Sequence, residues 1–354
     1  MIYAAQGLGF FSKEGIELSI ELSKGTGDAA TLLAAGKGEF ALTSPDAVMI
    51  LVSKGANVVS VFTWIQGELN RLVVLEDSPF KEITDLRGKT IGIPFLGAAA
   101  SYVLLRELKL SGMKEGEVNM VPVGLGPGAV EALIQRKVDA LMTPSYGSVM
   151  YLSQTKGPKM REIPLKGRPI PTMVLAASKK MLETERAMVV GVARAMAKGI
   201  LYTMANSSGA VEIMGKMYPE LVASRDLVEF NTRYLSGVHI CGEGKERPVG
   251  WHDPEAWSEA QKLYEGLGVI PKGVIPESCY ANDLLKEIND FDRSEIERIA
   301  RSGRPESVEE PIWSVPPLTL MAVLLLAVGV ATIAVVRKRG SRTMSSLPKK
   351  ALSP

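Results

Sequence analysis

The sequence predicts an α/β chain of two similar lobes followed by a single C-terminal transmembrane helix, and three observations carry that reading. Period-two apolar strands alternate with helix-length segments through the first half. A unit of glycine turn, helix, acid-led strand and small polar loop occurs twice. The run 317–336 holds no charged residue and is followed at once by Arg337, Lys338, Arg339 and Arg342.

Taken in order, Ile16, Leu18, Ile20 and Leu22 alternate with Glu17, Ser19, Glu21 and Ser23, which predicts a half-buried strand. Gly25-Thr26-Gly27-Asp28 turns the chain into a helix over 29–35, opened by a Thr or Asp cap. A strand at 39–43, a helix at 47–53 and a strand at 58–63 follow, with further strands at 72–75, 90–94, 120–123 and 138–142. Helices fill 99–110, 129–136 and 145–154. This alternation predicts mostly parallel pairing. From about Glu183 the pattern turns helical: 186–205, 207–218 and 226–235. Asp253-Pro254-Glu255 then opens a helix to about Leu267, with a capping Asp and Pro at its first position. A short helix covers 282–289, and the charged stretch 290–310 leads on to the apolar run.

The repeated unit is Gly25-Thr26-Gly27, helix, then Lys37 to Pro45, matched by Gly126-Pro127-Gly128, helix, then Lys137 to Ser145. Two such lobes would each offer a helix N-terminus and a strand C-terminus. Open α/β sheets bind ligands at the carboxyl ends of their strands, and free N–H groups at helix starts attract anions. The expected site is therefore a cleft that closes on a small, negatively charged solute.

Composition excludes more than it selects. A net charge of +2 and no basic stripe give no support to a nucleic-acid partner. With only His239 and His252, histidine-based metal or triad chemistry has little material, and no cofactor or metal is expected. Cys241 and Cys279 either pair outside the cell or stand as two buried thiols.

The run 317–336 is long enough to span a hydrocarbon core of roughly 30 Å. The basic residues behind it predict a cytoplasmic tail, 337–354, with everything before Pro316 outside the cell. Such a domain needs an export signal, yet residues 1–25 show no basic n-region, no long apolar core and no cleavage site. The expectation is a chain whose true start lies upstream.

The segment from Ala4 to Leu18, with its Gly9-Phe10-Phe11-Ser12-Lys13-Glu14-Gly15-Ile16, resembles the opening of nitrate/sulfonate/taurine-type substrate-binding proteins of ABC importers. Gly25 to Ala35 with Ala41 to Asp46 resembles that family's second ligand loop and strand. Asp85-Leu86-Arg87-Gly88-Lys89-Thr90-Ile91-Gly92-Ile93 resembles its crossing into the second lobe, and Val138-Asp139-Ala140 a further strand. The resemblance covers roughly residues 1–290 and implies a type II periplasmic-binding-protein-like fold. It implies no covalent chemistry, hinge closure on a small-molecule solute, and partners in an ABC permease and its ATPase subunits. The family begins with a strand absent here, which agrees with an upstream start. The implied division is lobe one at 1–84 plus 173–300, lobe two at 86–171, a linker at 301–316, then the membrane helix. The crossings are expected near 79–87 and 170–175.

The candidate ligand residues follow strand ends and helix starts, and each has a structural alternative. Thr26 and Gly27 offer a hydroxyl and N–H groups, or simply a turn and cap. Ser44 and Pro45 follow a strand end, where Asp46 reads as a helix cap. Trp64 and Gln66 end another strand, the indole either stacking on a planar ligand or filling core. Gly97, Ala98, Ala99 and Ser101 open the second-lobe helix and form the best anion site, or a plain loop. Thr143, Pro144 and Tyr146 sit opposite by the repeat. Asp139 reads as structural, and Arg71 and Arg106 are possible counter-charges or solvated. Trp64 and Tyr146 favour an organic, planar or sulfonated ligand. The competing functions are a membrane-tethered sensor and, by resemblance, a thiamine-pyrimidine-precursor synthase. The second lacks its histidine and cysteine-rich motif here, and a receptor for that precursor stays open.

Overall fold

The alternation at Ile16 and Leu18 becomes a strand with both side chains buried. In the computed structural model, residues 1–302 and 332–338 are described, apart from 24, 145, 156, 223 and 239–246. The elements of the first half are α1 (Ile2–Gly7), α2 (Phe10–Lys13), β1 (Ile16–Leu22), α3 (Thr26–Ala34), β2 (Phe40–Thr43), α4 (Pro45–Ser53), β3 (Val58–Ile65), β4 (Arg71–Leu75), β5 (Thr90–Ile93), α5 (Ala99–Leu110), β6 (Asn119–Pro122), α6 (Pro127–Ile134), β7 (Ala140–Thr143), α7 (Tyr146–Thr155) and β8 (Met160–Ile163). The second half adds β9 (Met173–Ser178), α8 (Lys179–Thr184), α9 (Arg186–Ala205), α10 (Ser207–Met217), α11 (Arg225–Val238), α12 (Pro254–Gly266), α13 (Leu285–Ile288), α14 (Arg293–Arg301) and β10 (Thr332–Lys338).

Two five-stranded sheets result, one ordered β1-β10-β2-β9-β3 and the other β6-β5-β7-β4-β8. Both copies of the repeated unit appear in full, one in each sheet: α3, β2 and α4 in the first lobe, α6, β7 and α7 in the second. The pairing is less parallel than the sequence suggests. Only β6, β5 and β7 run parallel; β9 lies antiparallel between β2 and β3, and β4 antiparallel between β7 and β8. Each of β4 and β9 enters its sheet from the other lobe and so runs against the strands already there.

That topology moves the first crossing. Since β3 belongs to one sheet and β4 to the other, the chain passes between lobes at 66–70, not 79–87. The conspicuous Asp85-to-Ile93 motif instead forms a 3₁₀ turn, Ile83–Leu86, leading into β5 inside lobe two. The return runs between β8 and β9, at 164–172. The two crossings are joined where Thr172 donates its N–H to Ile65 O and its hydroxyl to Gly67 O, at 3.0 and 2.7 Å.

Helix α9 is the spine of lobe one. It is the only helix among the described residues long and apolar enough to cross a membrane, but most of it is buried in the protein. Gly199 on it lets α1 approach so closely that a methyl there would overlap Ala5. The charged stretch after 290 is not a plain linker: Asp292 caps α14 and Ile296 and Ala300 enter the lobe-one core.

The C-terminal expectation is corrected in part. Thr332–Lys338 is a strand, antiparallel to β1 along seven residue pairs, where the sequence predicts the end of a membrane helix and its basic flank. The β-branched Thr332, Ile333, Val335 and Val336 suit a strand as well as an apolar helix. A slot between β1 and β2 offers backbone partners on both sides. Residues 317–331 and 339–354 lie outside the described residues, as does Cys241, so its pairing with Cys279 is not addressed; Cys279 is buried, and burial pushes its thiol up.

Candidate functional site

Four helices start at the cleft between the lobes, and none has its first N–H groups capped by its own side chain. They are α3 after Gly25, α4 after Ser44, α5 after Ala98 and α6 after Gly126. By contrast Ser178, Asn206, Asp253 and Asp292 cap α8, α10, α12 and α14, while α1, α2, α9 and α13 also start without a side-chain cap. Orphan N–H groups at a helix start need partners from a side chain, water or a ligand. The four starts at the cleft thus leave donors open towards it.

Between these helix starts lies a cavity open to solvent. Lobe one supplies Thr26 and Ser44; lobe two supplies Pro94, Phe95, Ala98, Ala99, Ala100, Leu125 and Pro144. The crossings supply Leu69, Asn70 and Thr172, and β9 its first residue, Met173. The two repeat copies therefore face each other across it, through Thr26 and Ser44 on one side and Leu125 and Pro144 on the other. The hydroxyls of Thr26 and Ser44 are 3.1 Å apart, and Thr43 donates to Thr26 O at 2.7 Å, which fixes this wall. Phe95 is half exposed at the rim with Leu96 beside it, and Gly97 turns this loop with φ +80°.

Among the described residues, no lysine, arginine, histidine, aspartate or glutamate lines the cavity. Arg71 donates to the carbonyls of Glu68 and Asn70 and faces Glu162 at 3.4 Å. Arg106 serves the crossings. Asp46, in the first turn of α4, is pushed up by burial, partly offset by a bond from Ser44. Asp139 accepts the Thr90 N–H at 2.9 Å and so ties β7 to β5.

Of the residues singled out from sequence, Thr26, Ser44, Ala98, Ala99 and Pro144 line this cavity. Gly27, Pro45 and Gly97 are their chain neighbours but stand outside the lining. Ser101 is buried and donates to Phe95 O at 3.1 Å, holding the rim loop. Thr143 is buried within β7. Trp64 packs in the lobe-one core with its N–H 3.0 Å from Met1 Sδ, and Gln66 donates to Trp251 O. The side chain of Tyr146 is outside the described set. Sequence reasoning passed over Phe95, Met173 and the crossing residues Leu69, Asn70 and Thr172; the Pro94-Phe95 pair after a strand was the available signal.

One constellation elsewhere has the outline of a nucleophile, base and orienting group. Ser60 Oγ lies 2.8 Å from His252 Nε2, and His252 Nδ1 lies 3.0 Å from Asn282 Oδ1. Ser60 and His252 are wholly buried, and the imidazole is stacked on Tyr280 with Trp257 tilted against it. Burial lowers the His252 pKa to about 3. With no access for a substrate, this is a core hydrogen-bond chain joining β3, the loop before α12 and the 280s. Among the described residues no three His, Cys, Asp or Glu converge as metal ligands.

The family described as NMT1/THI5 like matches residues 1–210. Riboflavin-binding protein RibY of Chloroflexus aurantiacus is 24% identical over 305 residues, covering 80% of this chain and 81% of that one. The formylaminopyrimidine-binding protein of Halalkalibacterium halodurans is 23% identical over 286 residues, 79% and 85% of the two chains. Among solved structures, the periplasmic aliphatic sulphonate-binding protein SsuA of Escherichia coli superposes with a TM-score of 0.57 at 18% identity, over 74% of this chain and 86% of that one.

Proposed function

This chain belongs to the NMT1/THI5-like family, and we propose that it is an extracytoplasmic solute-binding protein that delivers a small ring compound to an ABC permease and its ATPase subunits by hinge closure. The observation that carries this reading is the interlobe cavity, lined by helix starts without a side-chain cap and, among the described residues, by no charged side chain. The same observation moves the ligand away from the anion expected from sequence. Sealing an unpaired anion from water costs several kcal/mol, while each helix start returns about 0.3–1 kcal/mol. An uncharged heterocycle avoids that cost, places carbonyl oxygens on the free N–H groups, and gains about 25 cal/mol per Å² of apolar surface buried. The named ligands of the two curated relatives, riboflavin and a formylaminopyrimidine, are of this kind.

The test is a thermal-shift screen of riboflavin, formylaminopyrimidine, taurine, an alkanesulfonate and nitrate. A ring compound at a hundredfold excess over its Kd should stabilise by about 2.7 kcal/mol. Phe95→Ala should weaken that ligand roughly threefold to tenfold through lost stacking. A shift with sulfonate or nitrate alone would overturn the ring assignment and keep the receptor; silence across the set would count against the receptor.

The charge-free run 317–336 supports tethering to the membrane with the lobes outside. Tethering through it and the β10 pairing exclude one another, because residues 332–336 belong to both. Membrane fractionation of the full chain with a carbonate wash decides: retention in the pellet is the expected result, and complete release would overturn tethering.

A further inference from the structure

The mouth of the cavity is only one end of α5. Two turns on, Arg106 and Glu107 sit at both interlobe crossings. Glu107 is wholly buried, and its carboxylate accepts the N–H groups of Lys166 and Gly167 on the return crossing, at 2.6 and 3.1 Å. Arg106 Nε donates to Glu107 at 2.9 Å, and its Nη1 donates to Arg168 O at 2.9 Å. A methyl at Gly167 would overlap both side chains, so any larger residue there would have to displace the Arg106 and Glu107 ends.

On the first crossing, Glu68 is 6% exposed. Its Oε1 accepts from the backbone and side-chain nitrogens of Asn70, at 3.0 and 2.6 Å. Its Oε2 has no hydrogen bond and faces Arg106 Nη2 at 3.8 Å, while that nitrogen is ion-paired with Glu107 Oε1 at 2.8 Å. A buried carboxylate oxygen left just short of a hydrogen bond to a guanidinium nitrogen carries a desolvation cost that their meeting would relieve. Asn70, the other partner of Glu68, lines the ligand cavity, and so does the first turn of α5.

We propose that Glu68 and Arg106 form a closure latch: their contact completes as the lobes close, and Asn70 and α5 couple it to occupancy of the cavity. The latch rests on the two-lobe receptor reading for its purpose. Glu68 and Arg106 are positioning residues, acting on the solute through Asn70 and through the start of α5. A solute that draws Asn70 and the start of α5 together brings Glu68 Oε2 and Arg106 Nη2 into bonding range. The latch in turn holds the cleft shut around it.

The geometry is testable without any solute, which separates its failure from failure of the receptor reading. Spin labels at Lys37→Cys and Lys137→Cys, exposed and equivalent in the two repeat copies, report the interlobe distance in the full chain carrying Cys241→Ser. Glu68→Gln keeps the Asn70 acceptor and removes the charge; Arg106→Gln removes the partner. Each should lower the short-distance population about fivefold or more, with the double variant no worse than either single one. An unchanged distance distribution in both variants would overturn the latch, and so would effects that simply add. If either glutamine variant fails to fold, Arg106→Lys retains the charge without the planar fork and should give an intermediate distribution.

Discussion

Acid should unfold this protein through His252. An ordinary histidine has a pKa near 6.5, and burial lowers this one to about 3 against a weaker opposing effect of the Asn282 bond. Below pH 6.5 the unfolded chain takes up a proton that the folded chain refuses. Stability therefore falls by about 1.4 kcal/mol per pH unit, reaching roughly 4–5 kcal/mol by pH 3. Asp46 and Glu68 act in the opposite sense, because burial raises their pKa and their protonation in acid favours the fold. The His252 contribution is isolated by comparison with His252→Gln. That variant starts lower, by about 2–4 kcal/mol, from lost packing between Tyr280 and Trp257 and from an unpaired Ser60. Urea titrations from pH 7 to 3 should show the two proteins converging as pH falls. Parallel lines would mean that water reaches the imidazole.

The same residue shows what sequence reading could and could not reach. With only two histidines, triad chemistry was set aside on composition, yet Ser60, His252 and Asn282 meet in space. Burial, which no spacing reveals, is what makes the meeting structural. Local pattern was enough for the repeated units: glycine before each of α3 and α6, strands of period two, and a helix start after each strand. These are short-range signals, and they place Thr26, Ser44, Ala98, Ala99 and Pro144 around one cavity. The crossings were not legible in the same way. Whether β4 joins the sheet of β3 or pairs with β7 and β8 depends on partners seventy and ninety positions away, about, and nothing in Arg71–Leu75 itself says which. Asn70 and Thr172 were missed for that reason. Thr332–Lys338 is ambiguous in a third way, since its β-branched residues serve a strand and an apolar helix alike.

Removing the Glu107 carboxylate should be the most damaging single change at the crossings. Glu107→Ala leaves two buried N–H groups and the Arg106 guanidinium without their acceptor. Stranding a buried charge in this way costs about 3–5 kcal/mol. Glu107→Gln retains one acceptor and should cost about 1–3 kcal/mol. The exposed Glu131→Ala should stay within about 0.5 kcal/mol of the parent. The loss should appear as a lower urea midpoint with one transition and an unchanged slope. One core, holding Val48 and Trp257 of lobe one with Leu72 and Ile91 of lobe two, runs unbroken past the crossings and keeps the lobes cooperative. A cost below about 1 kcal/mol for Glu107→Ala would mean that water replaces the carboxylate; the return crossing would then be held by the Thr172 bonds to Ile65 and Gly67, and the hinge would pivot about them.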